Sequence, residues 1–117
     1  MARATLKRAS RITAKRDFER ARKGGRAGGD AVLRISYLRN GLPVTRLGLA
    51  VPRRGSNVER NRIKRVVREA FRLRRAQLPP GLDLVVSPRD SVRAADFAEV
   101  SRSFDALVAK LALRKET

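Results

Sequence analysis

Across residues 56–75, apolar side chains recur at Ile63, Val66, Val67, Ala70 and Phe71, the i, i+3, i+4, i+7, i+8 spacing of one helical face. Asn61, Arg65, Arg68, Arg72 and Arg75 fall on the opposite side. The predicted helix has a marked start, because Ser56 followed three residues later by Glu59 fits a capping box and Gly55 lets the chain turn in. It stops at Leu78-Pro79-Pro80-Gly81, where proline and glycine end the ladder.

Shorter patterns flank this helix. Thr13 is the expected cap of a helix running through Phe18 to about Lys23, with Ala14, Phe18 and Ala21 on one face. Gly24, Gly25, Gly28 and Gly29 make residues 24–30 an expected loop. Residues 31–38 alternate Val32, Arg34, Ser36 and Leu38 against Leu33, Ile35 and Tyr37, the pattern of a strand with one buried face. Arg39-Asn40-Gly41 supplies a turn, which Pro43 lengthens beyond two residues. Residues 46–51 form a second strand, its small Gly48 and Ala50 leaving room for another backbone, and residues 82–87 form a third. After Pro88-Arg89-Asp90, a last helix begins by about Ala95 with the stripe Phe97, Val100, Phe104, Leu107, Val108 and Leu111. Lys110, Arg114 and Lys115 complement its C-terminal dipole.

Composition changes what this plan is for. The 117 residues suit one domain, 1–117, with a basic arm at 1–11 expected to be flexible and a tail at 112–117. A net charge of +18 exceeds what solubility needs and points to a polyanionic partner. With no apolar run of spanning length and no lipidation motif, nucleic acid is favoured over a membrane. The chain has no cysteine and no histidine, which excludes disulfides, thiol nucleophiles, imidazole bases and zinc fingers. No hydrophobic leader precedes a cleavage signal, so the cytoplasm is the expected compartment.

Charge is also unevenly divided. Residues 1–26 carry ten Lys/Arg against two acids, residues 53–75 again ten against two, and residues 76–117 six of each. The expected binding surface is therefore the arm plus the central helix, with the last helix packed behind. Solvated helix faces normally mix signs, whereas this one has only Glu59 and Glu69 as relief. Guanidinium groups grip phosphates bidentately, which suits ordered RNA contacts.

Arg60-Asn61-Arg62-Ile63-Lys64-Arg65, continuing Val66-Val67-Arg68-Glu69-Ala70-Phe71-Arg72, closely resembles the signature helix of the bacterial ribonuclease P protein subunit. Lys15-Arg16-Asp17-Phe18, Arg46-Leu47-Gly48-Leu49-Ala50-Val51, Arg53-Arg54-Gly55 and Asp83-Leu84-Val85-Val86 match as well. The likeness runs from about Leu6 to Leu111, so the Arg/Lys-rich start reads as mature protein rather than a transit peptide.

The resemblance implies an α+β fold: a two-layer α/β sandwich of order α-β-β-β-α-β-α, like ribosomal protein S5 domain 2, with a left-handed β-α-β crossover. It implies a protein that assists a catalytic RNA in removing the 5′ leader of precursor tRNA. Those two RNAs are the expected partners, with no membrane and no obligate protein partner. Mg²⁺ is expected to sit mainly on the RNA, and no side chain of the protein is expected to be catalytic or to bind metal.

Carried over by position, Arg60, Asn61, Arg62, Lys64, Arg65 and Arg68 would touch the catalytic RNA, with Arg53, Arg54 and Arg72 extending the patch. A cleft between the first helix and the open sheet face would hold the leader, lined by Phe18, Arg22, Arg34 and Tyr37. Phe18 is either a core anchor or a base-stacking ring, and Tyr37 either a core or a cleft residue. Arg22 and Arg34 stand where the family often has aromatics, so leader contacts are expected mainly through phosphates. Ser87-Pro88-Arg89 stands where the family more often has Ala-Arg-Pro, and Arg89 is not carried over.

Three other readings compete. A structural RNA-binding protein, such as a ribosomal protein, shares the charge and size and differs in the RNA that co-purifies. A helix-turn-helix DNA binder would need a helix before residue 56 at motif spacing, where the pattern is strand and turn. A protein-only nuclease would need a carboxylate cluster, yet six of the eleven acids are spread over residues 76–117. For an RNA ligand engaging roughly 6 to 10 phosphates, affinity is expected to fall by about 10³ to 10⁵ between roughly 50 and 200 mM salt. Binding isotherms across that range check this, and a flat response would exclude it.

Overall fold

The structure is a computed structural model that describes residues 8–51, 56–89, 97–111 and 113. Its elements are α1 (Lys15–Gly24), β1 (Arg26–Gly29), β2 (Leu33–Arg39), β3 (Arg46–Leu49), α2 (Asn57–Arg74), β4 (Leu82–Pro88) and α3 (Phe97–Lys110). The order α-β-β-β-α-β-α is that implied by the resemblance. One four-stranded sheet has the order β1-β2-β4-β3, with β1 and β4 antiparallel to β2 and β3 parallel to β4. The parallel pair requires a crossover, and α2 provides it.

Strand alternation sorts the sheet into two faces. Leu33 and Ile35, Leu47, and Leu82, Leu84 and Val86 point into one core with Ile63, Val67, Ala70 and Phe71 of α2 and Val100, Phe104, Leu107 and Val108 of α3. Asp83 and Val85, Gly48, and Arg34 and Ser36 occupy the other face. There α1 lies across part of the sheet, burying Ala21 and Val85 completely. Helices α2 and α3 thus make the second layer of the sandwich, and α1 partly covers the open side.

The stripe on α2 is buried as expected, with Val66 packed partly against the core. Its capping box is complete: the Glu59 N–H donates to Ser56 Oγ at 3.1 Å, and the Ser56 N–H to Glu59 Oε1 at 3.0 Å. On α3, Phe97 departs from the expected stripe and is 39% exposed. Ala95, the expected start, and Arg114 and Lys115 lie outside the described residues.

Two expectations are corrected. The glycine run at 24–30 contains the edge strand β1, with Arg26 across from Tyr37 and Gly28 across from Ile35. Its glycines serve close approach, because a Cβ at Gly28 would lie 3.0 Å from the Leu111 side chain. Helix α1 starts one residue late: Ala14 is the N-cap, and it makes no side-chain cap bond. The cause is upstream, where Arg11 bridges Leu47 in parallel and the Ile12 N–H donates to the Leu47 carbonyl at 3.0 Å, holding the chain extended along β3. Of the arm, the described residues form a 3₁₀ turn at Arg8–Ser10, with Ser10 buried, and residues 1–7 lie outside the described residues.

Asp30 joins β2 to the helical layer. Its Oδ1 accepts the N–H groups of Val32 at 2.8 Å and Leu33 at 2.9 Å, and Oδ2 accepts the Ser103 hydroxyl of α3 at 2.7 Å. Burial pushes its carboxyl pKa up, but the hydrogen bonds from Leu33, Ser103 and Val32 together outweigh burial and hold it below the ordinary value. A depressed carboxylate pKa adds stability above the unfolded-state pKa, and that stability is lost as pH falls through the folded-state pKa. Asp30→Ala should therefore cost about 1 to 3 kcal/mol at neutral pH. In pH-resolved thermal melts, the gap between wild type and Asp30→Asn should close as the medium is acidified below the usual carboxylate range.

Candidate nucleic-acid interface

The capping box and the buried stripe fix the rotation of α2, and with it the direction of every cation it carries. Asn61, Arg62, Arg65 and Arg72 are exposed, while Arg60, Lys64 and Arg68 are half-buried along the flanks. Arg72 is already engaged: its Nε and Nη2 donate to the Glu69 carboxylate at 3.0 and 2.8 Å. That bond raises the Arg72 pKa and lowers that of Glu69. Arg74 is structural, reaching Asp105 of α3 at 2.6 Å and the Ala70 carbonyl at 3.1 Å. Among the described residues, Arg62, Lys64, Arg65 and Arg68 have no ion pair. These four are the cations that α2 offers to a partner. Arg53 and Arg54 lie outside the described residues.

Beside this face a groove of about 430 Å³ runs between α1, β3 and α2, lined by Arg11, Thr13, Phe18, Gly48, Lys64 and Arg68 among others. Phe18 is half-buried, packing on the sheet and lining the groove. Packing is possible because β3 has bare backbone at that point: a Cβ on Gly48 would sit 2.9 Å from the Phe18 ring and 3.1 Å from Ile12. Arg46 locks the arrangement. Its Nε and Nη2 donate to Asp83 at 2.8 and 2.7 Å, and Nη2 also approaches Asp17 of α1 at 3.3 Å. The Asp83 hydrogen bond outweighs burial and holds the guanidinium pKa above its ordinary value.

The expected cleft set does not stay together. Arg22 is exposed one turn beyond Phe18, with Nη2 3.5 Å from Glu19. Arg34 lies half-buried on the sheet face that α1 partly covers, across from Gly29 and Ser87. Tyr37 is on the opposite face, packed against the core of α2 and α3, so its place in the cleft is corrected. Residues three apart on a strand point to opposite sides, and Arg34 and Tyr37 are three apart. In turn, Arg11 and Thr13 line the groove though sequence reasoning did not assign them; their approach depends on the bridge to Leu47.

The family model described as Ribonuclease P matches residues 6–112. The chain belongs to the ribonuclease P protein family. A relative from Caldanaerobacter subterraneus subsp. tengcongensis, called ribonuclease P protein component, is 35% identical over 86% of this chain and 87% of its own. The Thermotoga maritima ribonuclease P protein component is 39% identical over 70% of this chain and 71% of its own. The solved ribonuclease P protein from Thermotoga maritima superposes with a TM-score of 0.77 at 32% identity, covering 86% of this chain and 96% of that one. The Staphylococcus aureus ribonuclease P protein shares the fold at a TM-score of 0.82 and 24% identity, over 92% of this chain and all of that one.

In this ribonuclease P family member, the described residues contain no group of three or more acids placed to hold a metal ion. None of its described helices is long and apolar enough to cross a membrane. The difference between paired and unpaired cations is testable. Arg68→Ala should weaken binding to structured RNA and flatten the slope of log affinity against log salt by about 0.7 to 0.9 for each phosphate no longer neutralised. Arg72→Ala should do less, since that guanidinium must first leave Glu69. Filter binding of the two variants across a salt series, with circular dichroism as a fold control, checks the order.

Proposed function

We propose that the chain serves tRNA processing as the protein component of ribonuclease P, with the cationic face of α2 on the catalytic RNA and the Phe18 groove on the 5′ leader of precursor tRNA. The observation that carries this reading is the adjacency of Arg62, Lys64, Arg65 and Arg68, free of ion pairs among the described residues, to a groove walled by Lys64 and Arg68 themselves. Groups that bind the catalytic RNA and groups that bind the substrate then share one helix. Phe18 offers a ring edge to an unpaired base, and Lys64, Arg68 and Arg11 offer charge to the phosphates beside it. Arg22 and Arg34, on the α1 side of the sheet, add phosphate contacts outside the groove.

The protein's part in the reaction is positioning and charge neutralisation. With no histidine or cysteine in the chain, an imidazole general base or thiol nucleophile from the protein is excluded. Bond cleavage is assigned to the RNA and the Mg²⁺ ions held mainly by it, which the cations of α2 assist by lowering the repulsion between two polyanions. The cytoplasm, where precursor tRNA is made, is the proposed compartment.

The test is reconstitution with a separately transcribed ribonuclease P RNA. At low Mg²⁺, adding the protein should stimulate precursor tRNA cleavage strongly, and raising Mg²⁺ should reduce the advantage. No stimulation would overturn the reading in favour of a structural RNA-binding protein, and cleavage by the protein alone would overturn the assignment of chemistry to the RNA.

A further inference from the structure

Where the helical layer stops short of the sheet's end, a second groove of about 890 Å³ opens between the Gly24-Gly25-Arg26 corner, the end of β2, Leu42 and the Pro79-Pro80-Gly81 entry to β4. Arg26 stands directly across from Tyr37 in the β1–β2 register, and Arg39 follows Tyr37 by two residues. Strand alternation therefore sends all three side chains to one face, with Arg26 beside Tyr37 across the strand pair and Arg39 two residues along β2. Both arginines are exposed and Tyr37, the only tyrosine, is half-buried. Among the described residues none of the three makes a side-chain hydrogen bond or ion pair, and no acid lines the groove.

Charge and shape together select an occupant. An aromatic face flanked by two cations suits an unpaired nucleotide, its base against the ring and its phosphates on the guanidiniums. A base-paired helix would present phosphates and sugars and leave the ring unused. Leu42, 44% exposed at the rim, adds apolar surface for a base and none for a phosphate.

Continuity identifies the source of that nucleotide. Helix α1, ten residues or about 15 Å long, has Thr13 and Phe18 of the first groove near one end and Gly24 of the second at the other. Exposed Lys15, Arg16, Arg20, Arg22 and Lys23 lie along this helix, and a strand following it would turn round the edge strand β1 to reach the opposite face that carries Tyr37. We propose that the Arg26, Tyr37 and Arg39 face binds an unpaired stretch of the precursor's 5′ leader, upstream of the part held beside Phe18. This rests on the leader reading of the first groove.

The experiment uses the reconstituted holoenzyme and two precursor tRNAs, one with a leader long enough only for the first groove and one with a longer, unstructured leader. Arg26→Ala/Arg39→Ala should weaken binding of the long-leader substrate on the order of tenfold and lower its salt slope by about 1.4, the value for two single-strand phosphates. The short-leader substrate should be unaffected. Tyr37→Leu keeps apolar packing and removes the ring, so it should weaken the long-leader substrate by about fivefold or more with the salt slope unchanged. Thermal melts confirm that both variants fold. Unchanged long-leader binding, equal losses on both substrates, or a loss of catalytic RNA binding without substrate would each overturn the proposal. A short leader carrying a photoreactive base separates the two readings. Crosslinking near Phe18 while the long-leader test fails removes only the second groove; no crosslink there removes the leader reading itself.

Discussion

The contact on which the rest of the architecture depends is the grip of Arg46 on Asp83. These residues face each other in the parallel pair β3 and β4, which the α2 crossover connects. Their side chains are 15% and 7% exposed, so both charges are largely out of water. Burial is tolerable because the pair is bidentate and further bonded: the Asn40 amide also donates to Asp83 at 2.9 Å, and Arg46 Nη2 donates to Asp17 as well at 3.3 Å. Removing one partner of such a pair costs about 3 to 5 kcal/mol, since the other is left buried and unpaired. Through Asp17 the same guanidinium ties down α1 one residue before Phe18. The β3–β4 pairing and the seat of α1 thus meet in a single side chain.

The acids of this strongly basic chain act mostly inward. Asp83 and Asp17 hold Arg46, Asp30 holds the β2 turn and Ser103, Asp105 holds Arg74 on α2, and Glu59 closes the capping box. These five acids support fold contacts, while Glu19 and Glu69 pair with Arg22, Lys23 and Arg72 on the outer faces of α1 and α2. The resulting field is one-sided by construction, and like charges along α2 remain close because the apolar stripe beneath them is fully seated. A polyanion placed there relieves repulsion that the packing otherwise withstands.

How far this was legible in the sequence follows the range of the interactions. Helix α2, its buried face and its cap could be read in full, because periodicity and a capping box are local signals. Strand β1 could not: Arg26–Gly29 has no alternation to read, and its pairing comes from the hydrogen-bonding edge of β2. Thr13 is a sound cap by type, yet the bridge from Arg11 to Leu47 moved the start to Ala14. Arg34 and Tyr37 were legible by parity alone, since a strand that puts one toward α1 must put the other toward the core. The groove itself was half legible: Phe18, Lys64 and Arg68 carried signals of type and motif, whereas Arg11 and Thr13 arrive only through a contact 36 residues distant in sequence from Arg11.

Placing the groove wall and the outer cations on one helix has a mechanical consequence. Lys64 and Arg68, one turn apart, wall the groove, while Arg65 lies beside them on the outer face, separated by about 100° of rotation from Lys64. An α-helix pinned by four fully or nearly fully buried side chains, Ile63, Val67, Ala70 and Phe71, cannot move one of these surfaces without moving the other. On the proposed reading, a leader strand in the groove and the catalytic RNA on the outer face would be held at a spacing set by the helix rather than by any flexible loop. That rigidity requires the small residue at Gly48 on the facing wall, because any larger side chain would push Phe18 and α1 away and widen the groove without altering α2. The precision of the site therefore resides in the apolar seat of one helix and the missing side chain of one strand residue, and its affinity in the cations mounted between them.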